Sequence, residues 1–237
     1  MWMGCLMRRM HNSLLDDRIA SIGIGAIIVF IALVLVAGIA ASVIIQTSST
    51  LESQTMATGS ETTEEVGAGI AVYAIEGYAA SGSDISKLAI MVRPRAGTDS
   101  IDISRCLIEL SNTDRKVILN YSTSYYSKPS GLDNIFAATV FPDDEYAFGN
   151  ASNTDGTQFG ILVMEDADGS VLQNTPLINR GDKVCLCINT TGCLNNIGER
   201  SDMWGMVIPE IGSPANIEFR TPSTYANTVM ELQYNLP

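Results

Sequence analysis

Hydrophobic and polar positions divide the chain into two regimes. Residues 22–45 read IGIGAIIVFIALVLVAGIAASVII, with no charged residue and only Ser42 polar. As an α-helix at about 1.5 Å per residue, this run extends roughly 36 Å, enough to cross a bilayer. That is too long for the apolar core of a secretory signal peptide. The polar segment that follows, QTSSTLESQTMATG, permits the helix to continue, so the spacing predicts one helix over 21–59. Small residues along it (Gly23, Gly25, Ala37, Gly38, Ala41, Ser42) let other helices approach closely.

Beyond Gly59, SETTEEVGAG (60–69) reads as a polar joint, and the apolar period shortens toward two. Strands are expected at 70–76, 87–93, 105–110, 116–121, 135–141, 158–165, 183–189, 203–209 and 216–220. Turn clusters such as PRAGTDS, DADGS, NRGD and EIGSPA separate them. That spacing gives an α+β chain, in which a long N-terminal hydrophobic helix precedes an antiparallel, Ig-like β-sandwich over 60–237.

Charge orients this arrangement. The chain carries 14 basic and 26 acidic residues, net −12. Residues 1–20 hold three of the bases (Arg8, Arg9, Arg18) and two of the acids (Asp16, Asp17), so the remainder has 11 bases against 24 acids, net −13. Bases before the apolar run and an uncharged flank after it, up to Glu52, keep the N-terminus cytoplasmic and export everything beyond Ile45. A surface this acidic repels nucleic acid, which is excluded as a partner.

Candidate chemistry is sparse. The single histidine, His11, precedes the apolar run, so the exported part has none for a catalytic triad or a His-rich metal site. No nucleophile elbow, phosphate-binding loop or dinucleotide fingerprint occurs, and no catalytic residue is assigned. The carboxylate pairs Asp143/Asp144 and Asp166/Asp168 read as solvated turns. Glu165-Asp166-Ala167-Asp168-Gly169-Ser170 places acids two apart before a glycine, as calcium loops do, but lacks their distal glutamate. It is read as a tight turn, with calcium or another hard cation on Asp166 and Asp168 as the alternative; no cofactor is required. Arg180-Gly181-Asp182 spells an adhesion tripeptide and is read as a turn. Of Cys106, Cys185, Cys187 and Cys193, the expected bridge is Cys187–Cys193, closing a short loop, with four reduced core thiols as the alternative. Acceptor sequons occur at Asn120, Asn150 and Asn189.

The stretch DDRIASIGIGAIIVFIALVLVAGIAASVIIQTSSTLESQTMATG resembles the N-terminus of archaellins, the subunits of the archaeal rotating filament. FGILVMEDADGSVLQNTPLINRGDKVCL, GTDSIDIS and the PE-x-G-x-P…TPS pattern of PEIGSPANIEFRTPS resemble their C-terminal domains. The resemblance implies a class III, prepilin-like leader over 1–20, removed by a membrane peptidase between Ala20 and Ser21. Arg18 fits the family's upstream base, whereas Ala20 stands where glycine is usual. It further implies an exported, commonly glycosylated domain, in some members holding a metal. The implied partners are other archaellins, a membrane platform protein and a cytoplasmic ATPase.

The expected function is therefore that of an extracellular archaellum filament subunit, not an enzyme, whose precursor waits in the cytoplasmic membrane. Copies would polymerise through a core helix presenting Ile22, Ile24, Ile27, Phe30, Leu33, Val36, Ile39 and Val43. The rival readings are a type IV-like adhesive pilin and a membrane-anchored surface enzyme.

Overall fold

The structure, a computed structural model, describes residues 3–80, 84–131, 133–136 and 156–234, with backbone alone for 3–22 and 64. It divides into two compact units, Met1–Ser60 and Glu61–Pro237.

The first element, α1, is a single helix over Met3–Gly67. It absorbs the segment expected to be a joint, because Ser60-Glu-Thr-Thr-Glu-Glu-Val contains no glycine or proline until Gly67. Helical backbone also runs through Ala20–Ser21 without a break. The hydroxyls after residue 45 bond back within the helix. Thr47 Oγ1 donates to the Val43 carbonyl (2.9 Å), Thr50 Oγ1 to that of Gln46 (2.9 Å) and Thr55 Oγ1 to that of Leu51 (2.7 Å). A polar-looking sequence thus presents few unsatisfied groups.

The second unit is built on β1 (Ile70–Ala79), β2 (Ile85–Pro94), β3 (Ser100–Asp102), β4 (Leu107–Ser111), β5 (Lys116–Ser127) and β6 (Gln158–Glu165). It continues with β7 (Leu177–Asn179), β8 (Lys183–Asn189), the short helix α2 (Thr190–Leu194), β9 (Asp202–Ile208), β10 (Ala215–Arg220) and β11 (Val229–Tyr234). Among the described residues, nine strands form one sheet in the order β10-β9-β4-β5-β6-β8-β2-β1-β11, and β3 pairs with β7 apart from it. The pairings of these strands are antiparallel except β5–β6.

The facing layers of the expected sandwich come from this one sheet curling on itself. Ile217 and Phe219 of β10 share a core cluster with Ile70, Val72 and Ile75 of β1, although those strands lie near opposite ends of the sheet order. The two end strands also touch, the Glu218 backbone N–H donating to Gln233 Oε1 (3.1 Å). Strict alternation along β8 sorts its side chains: Val184, Leu186 and Ile188 enter the main core, while Cys185 and Cys187 face a smaller outer cluster with Ala89, Met91 and Phe136.

Eight of the nine expected strands are present. Of the ninth, 135–141, Ile135 and Phe136 form a turn, Phe136 being buried and stacked on Tyr78; residues 137–141 lie outside the described residues. The acid pair Asp143/Asp144 and the sequon at Asn150 lie outside them too.

Candidate functional site

Two features of the chain invite a functional reading, the bare surface of α1 and a cluster of carboxylates at one end of the β unit. Along α1 the expected core residues Ile24, Ile27, Phe30, Leu33, Val36, Ile39 and Val43 are all exposed, Phe30 by 67% and Val36 by 65%; the side chain of Ile22 lies outside the described residues. Ile28, Val29, Ile31, Val34 and Leu35 are equally bare, so every face of the helix is apolar. A helix apolar all round is not stable in water. It belongs in lipid or among other helices. Each side chain of this kind gains about 1.5–3 kcal/mol on burial.

The carboxylate cluster brings together what the sequence separates. Asp166, Asp168 and Asp182 offer oxygens that all lie within 4.8 Å of one another. The Asp166 side chain is only 1% exposed; its Oδ1 accepts from the N–H groups of Gly169 (2.8 Å) and Ser170 (3.1 Å), and its Oδ2 from Val171 N–H and Lys128 Nζ. Asp168 accepts from Ser170 N–H (2.9 Å) and Asn179 Nδ2 (2.6 Å). Asp182, 1% exposed, accepts from the N–H groups of Ala167 (3.0 Å) and Asn179 (2.9 Å). All six carboxylate oxygens therefore have donors. The DADGS segment is a turn stitched to the β7–β8 turn, with Gly169 (φ +80°) and Gly181 (φ +106°) supplying the left-handed backbone.

Electrostatics follow from these contacts. Burial raises the Asp166 pKa, but Lys128 and the N–H groups of Gly169 and Val171 outweigh it and hold the carboxyl below its ordinary 3.8. The Asp168 pKa is likewise lowered, first by Ser170 and then by Asn179. A depressed carboxylate contributes stability above its unfolded pKa and loses it as the pH falls through the folded one. Lys128→Met is therefore expected to lower the melting temperature at pH 7. Melts recorded across acid pH check this. The deficit should shrink below pH 3.8, as Asp166 protonates in both proteins.

The burial of Asp182 also decides the Arg180-Gly181-Asp182 tripeptide. An adhesion receptor needs a free carboxylate, and this one faces inward. The signals for Asp182, Asn179 and Lys128 were not local. Only the DADG pattern marked the site in sequence.

The expected Cys187–Cys193 bridge is corrected. Cys106, Cys185, Cys187 and Cys193 are all free and buried. Cys187 faces the outer cluster with Cys185, whose Sγ is 3.9 Å away, while Cys193 on α2 packs into the main core on the other side of β8. Burial pushes the thiols of Cys106 and Cys193 up to about 12 and Cys187 well above its usual range. In native protein lacking residues 1–20, a thiol reagent should label none of the four rapidly, and all four once the chain is denatured. Rapid labelling of any one would contradict its placement.

Among the sequons, Asn120 is exposed, although inside β5 and not at its end. Asn189 is half-buried and caps α2, its Oδ1 accepting from Thr191 N–H (3.0 Å).

Comparison with known proteins places these features in a family context. A family model described as archaeal-type flagellin matches residues 20–219. Flagellin B3 of Methanococcus voltae is 37% identical over 240 residues, an alignment covering 94% of this chain and 100% of that protein. The crystal structure of archaeal flagellin FlaB1 from Methanocaldococcus jannaschii superposes with a TM-score of 0.61 at 31% identity, covering 72% of this chain and 99% of that one. The archaeal flagellum of Methanospirillum hungatei matches 88% of this chain and 98% of its own subunit with a TM-score of 0.57; at 14% identity that likeness is one of fold.

Proposed function

The chain belongs to the archaeal-type flagellins and is a structural subunit of the archaeal flagellum filament, which lies outside the cell, and we propose that residues 21–59 are the surface through which its copies polymerise. The observation that carries this is the exposure of apolar side chains around the whole circumference of α1. In the precursor the helix rests in the cytoplasmic membrane. In the filament, helices of neighbouring subunits replace the lipid, and small residues such as Gly38 and Ala41 allow close packing. The β unit, 60–237, then faces outward, with Asn120 as the better presented glycan acceptor.

A prepilin-like peptidase removes residues 1–20 between Ala20 and Ser21 before assembly. The family match begins at residue 20, which supports that position. With no nucleotide-binding motif in the chain, extraction and rotation are supplied by a cytoplasmic ATPase and a membrane platform protein. The test is intact-mass analysis of sheared filaments. The subunit should begin at Ser21, and recovery of peptides spanning Arg8–Arg18 would overturn the leader assignment.

This role needs no enzyme chemistry and no cofactor. A hard cation such as calcium at Asp166 and Asp168 would compete with the Lys128 ammonium, which already pairs with Asp166. Thermal melts with calcium and with chelator decide the matter. Equal melting temperatures leave DADGS an ordinary turn.

A further inference from the structure

Bases are scarce in this chain, yet four of them converge. Arg93, Arg95, Arg180 and Lys183 line one cleft of about 470 Å³, between the loop after β2 and the β7–β8 turn. Its lining includes Gly97 (φ +95°) and Gly181 (φ +106°), which contribute no side chain to it. Lys183 is paired with Glu165 (Nζ–Oε2 2.7 Å). Arg95 Nε donates to the Ile70 carbonyl (3.2 Å). Among the described residues, neither Arg93, Arg95 nor Arg180 has a carboxylate within 4.0 Å, and Asp182, which also lines the cleft, is buried with its carboxylate taken by the N–H groups of Ala167 and Asn179. In a chain of net charge −12, three guanidinium groups around one cleft with no carboxylate paired to them are an attractive site for a carboxylate-bearing partner.

The same unit carries a complementary anomaly. Glu61 and Glu65 stand one helical turn apart near the C-terminal end of α1, both exposed, with no base in the last turn. Like charges at this spacing repel, and acids at a helix C-terminus oppose its dipole. Among the described residues neither glutamate has an ion partner. An unfavourable acidic pair and an unneutralised basic cleft on one self-assembling chain are mutual solutions when two copies meet.

We infer that the Arg93–Arg95–Arg180 cleft is a subunit-docking site that receives the Glu61/Glu65 end of α1 from a second copy of this chain, an inference that rests on the polymerisation reading above. Guanidinium forks suit carboxylates in bidentate geometry, so the contact fixes register between copies as well as attraction. Being electrostatic and near the surface, it weakens in salt.

The test uses charge reversal in the full chain, expressed in a cell that assembles filaments. Arg93→Glu/Arg180→Glu and, separately, Glu61→Lys/Glu65→Lys are each expected to cut filament yield about tenfold or more, since like charges then face each other. The chain carrying all four changes should regain filaments, and its recovery also shows that the substitutions permit folding. Unchanged yield in both double variants overturns the inference while leaving helix-driven polymerisation intact. Failure of the fourfold variant to recover, with phosphate shifting the melting temperature of the wild type but not of Arg93→Glu/Arg180→Glu, assigns the cleft to a small anion and overturns it as well. Absence of filaments from the unaltered chain would instead remove the polymerisation reading itself.

Discussion

Replacing Val36 with aspartate is expected to abolish filaments. Val36 lies in the middle of the apolar run and is 65% exposed in the single chain, and the two destinations proposed for it, lipid and a helix bundle, are both apolar. An aspartate at the centre of a membrane helix costs about 2.5–3.5 kcal/mol on insertion scales. In a bundle of like helices the penalty recurs in every subunit, without a base in 22–45 to pair with it. The precursor should accumulate or be degraded, and electron microscopy should find no filaments. Val36→Leu, close in size and equally apolar, should assemble. Normal filaments from the aspartate variant would show that this helix is not the polymerisation surface.

Gly205→Ala should produce a large loss of stability in the β unit. Gly205 sits in β9 opposite Leu110 of β4, and a Cβ there would lie 2.0 Å from the Glu109 carbonyl oxygen. The obstacle is backbone, so no rotamer change relieves it, and the β4–β9 ladder must open. Overpacking of this kind costs about 3 kcal/mol, at the upper end of its usual range. For a unit of this size that lowers the melting temperature by about 6–12 °C. Gly169→Ala is a useful comparison: its φ of +80° strains alanine, but nothing lies within 4 Å of the added methyl. It should cost distinctly less. Equal melting temperatures for Gly205→Ala and the parent would contradict the β4–β9 register.

What the sequence disclosed follows from the range of each signal. The run 22–45 and eight strands announce themselves through local period, and local period survived folding. The joint at 60–69 did not, because its threonines and glutamates are compatible with helix once a long helix already leads into them. Three-residue strands such as β3 and β7 are too short to show a period, and β11 alternates only between half-buried and exposed positions at the end of the sheet. The carboxylate site was half legible. Asp166 and Asp168 sit in one turn, but Asp182 arrives from the β7–β8 turn and Lys128 from just after β5, through tertiary structure. The cysteines show a correct local inference leading to a wrong long-range one. Alternation places Cys185 and Cys187 on one face of β8, and that same alternation turns Cys187 away from Cys193.

The curl of the nine-stranded sheet bears on how a polymer-forming protein avoids the wrong polymer. An open sheet has two free edges, each a template for another strand, and subunits packed at filament density would meet edge to edge. Here the outermost strands lie against each other, and the Glu218 N–H is taken by a glutamine side chain on β11. The charges of Glu218, Arg220 and Glu231 further deter a stray strand. With strand addition discouraged at both ends of the sheet, the β unit offers little to amyloid-like association. On the reading proposed above, association is then left to the apolar surface of α1 and to the basic cleft that sets register.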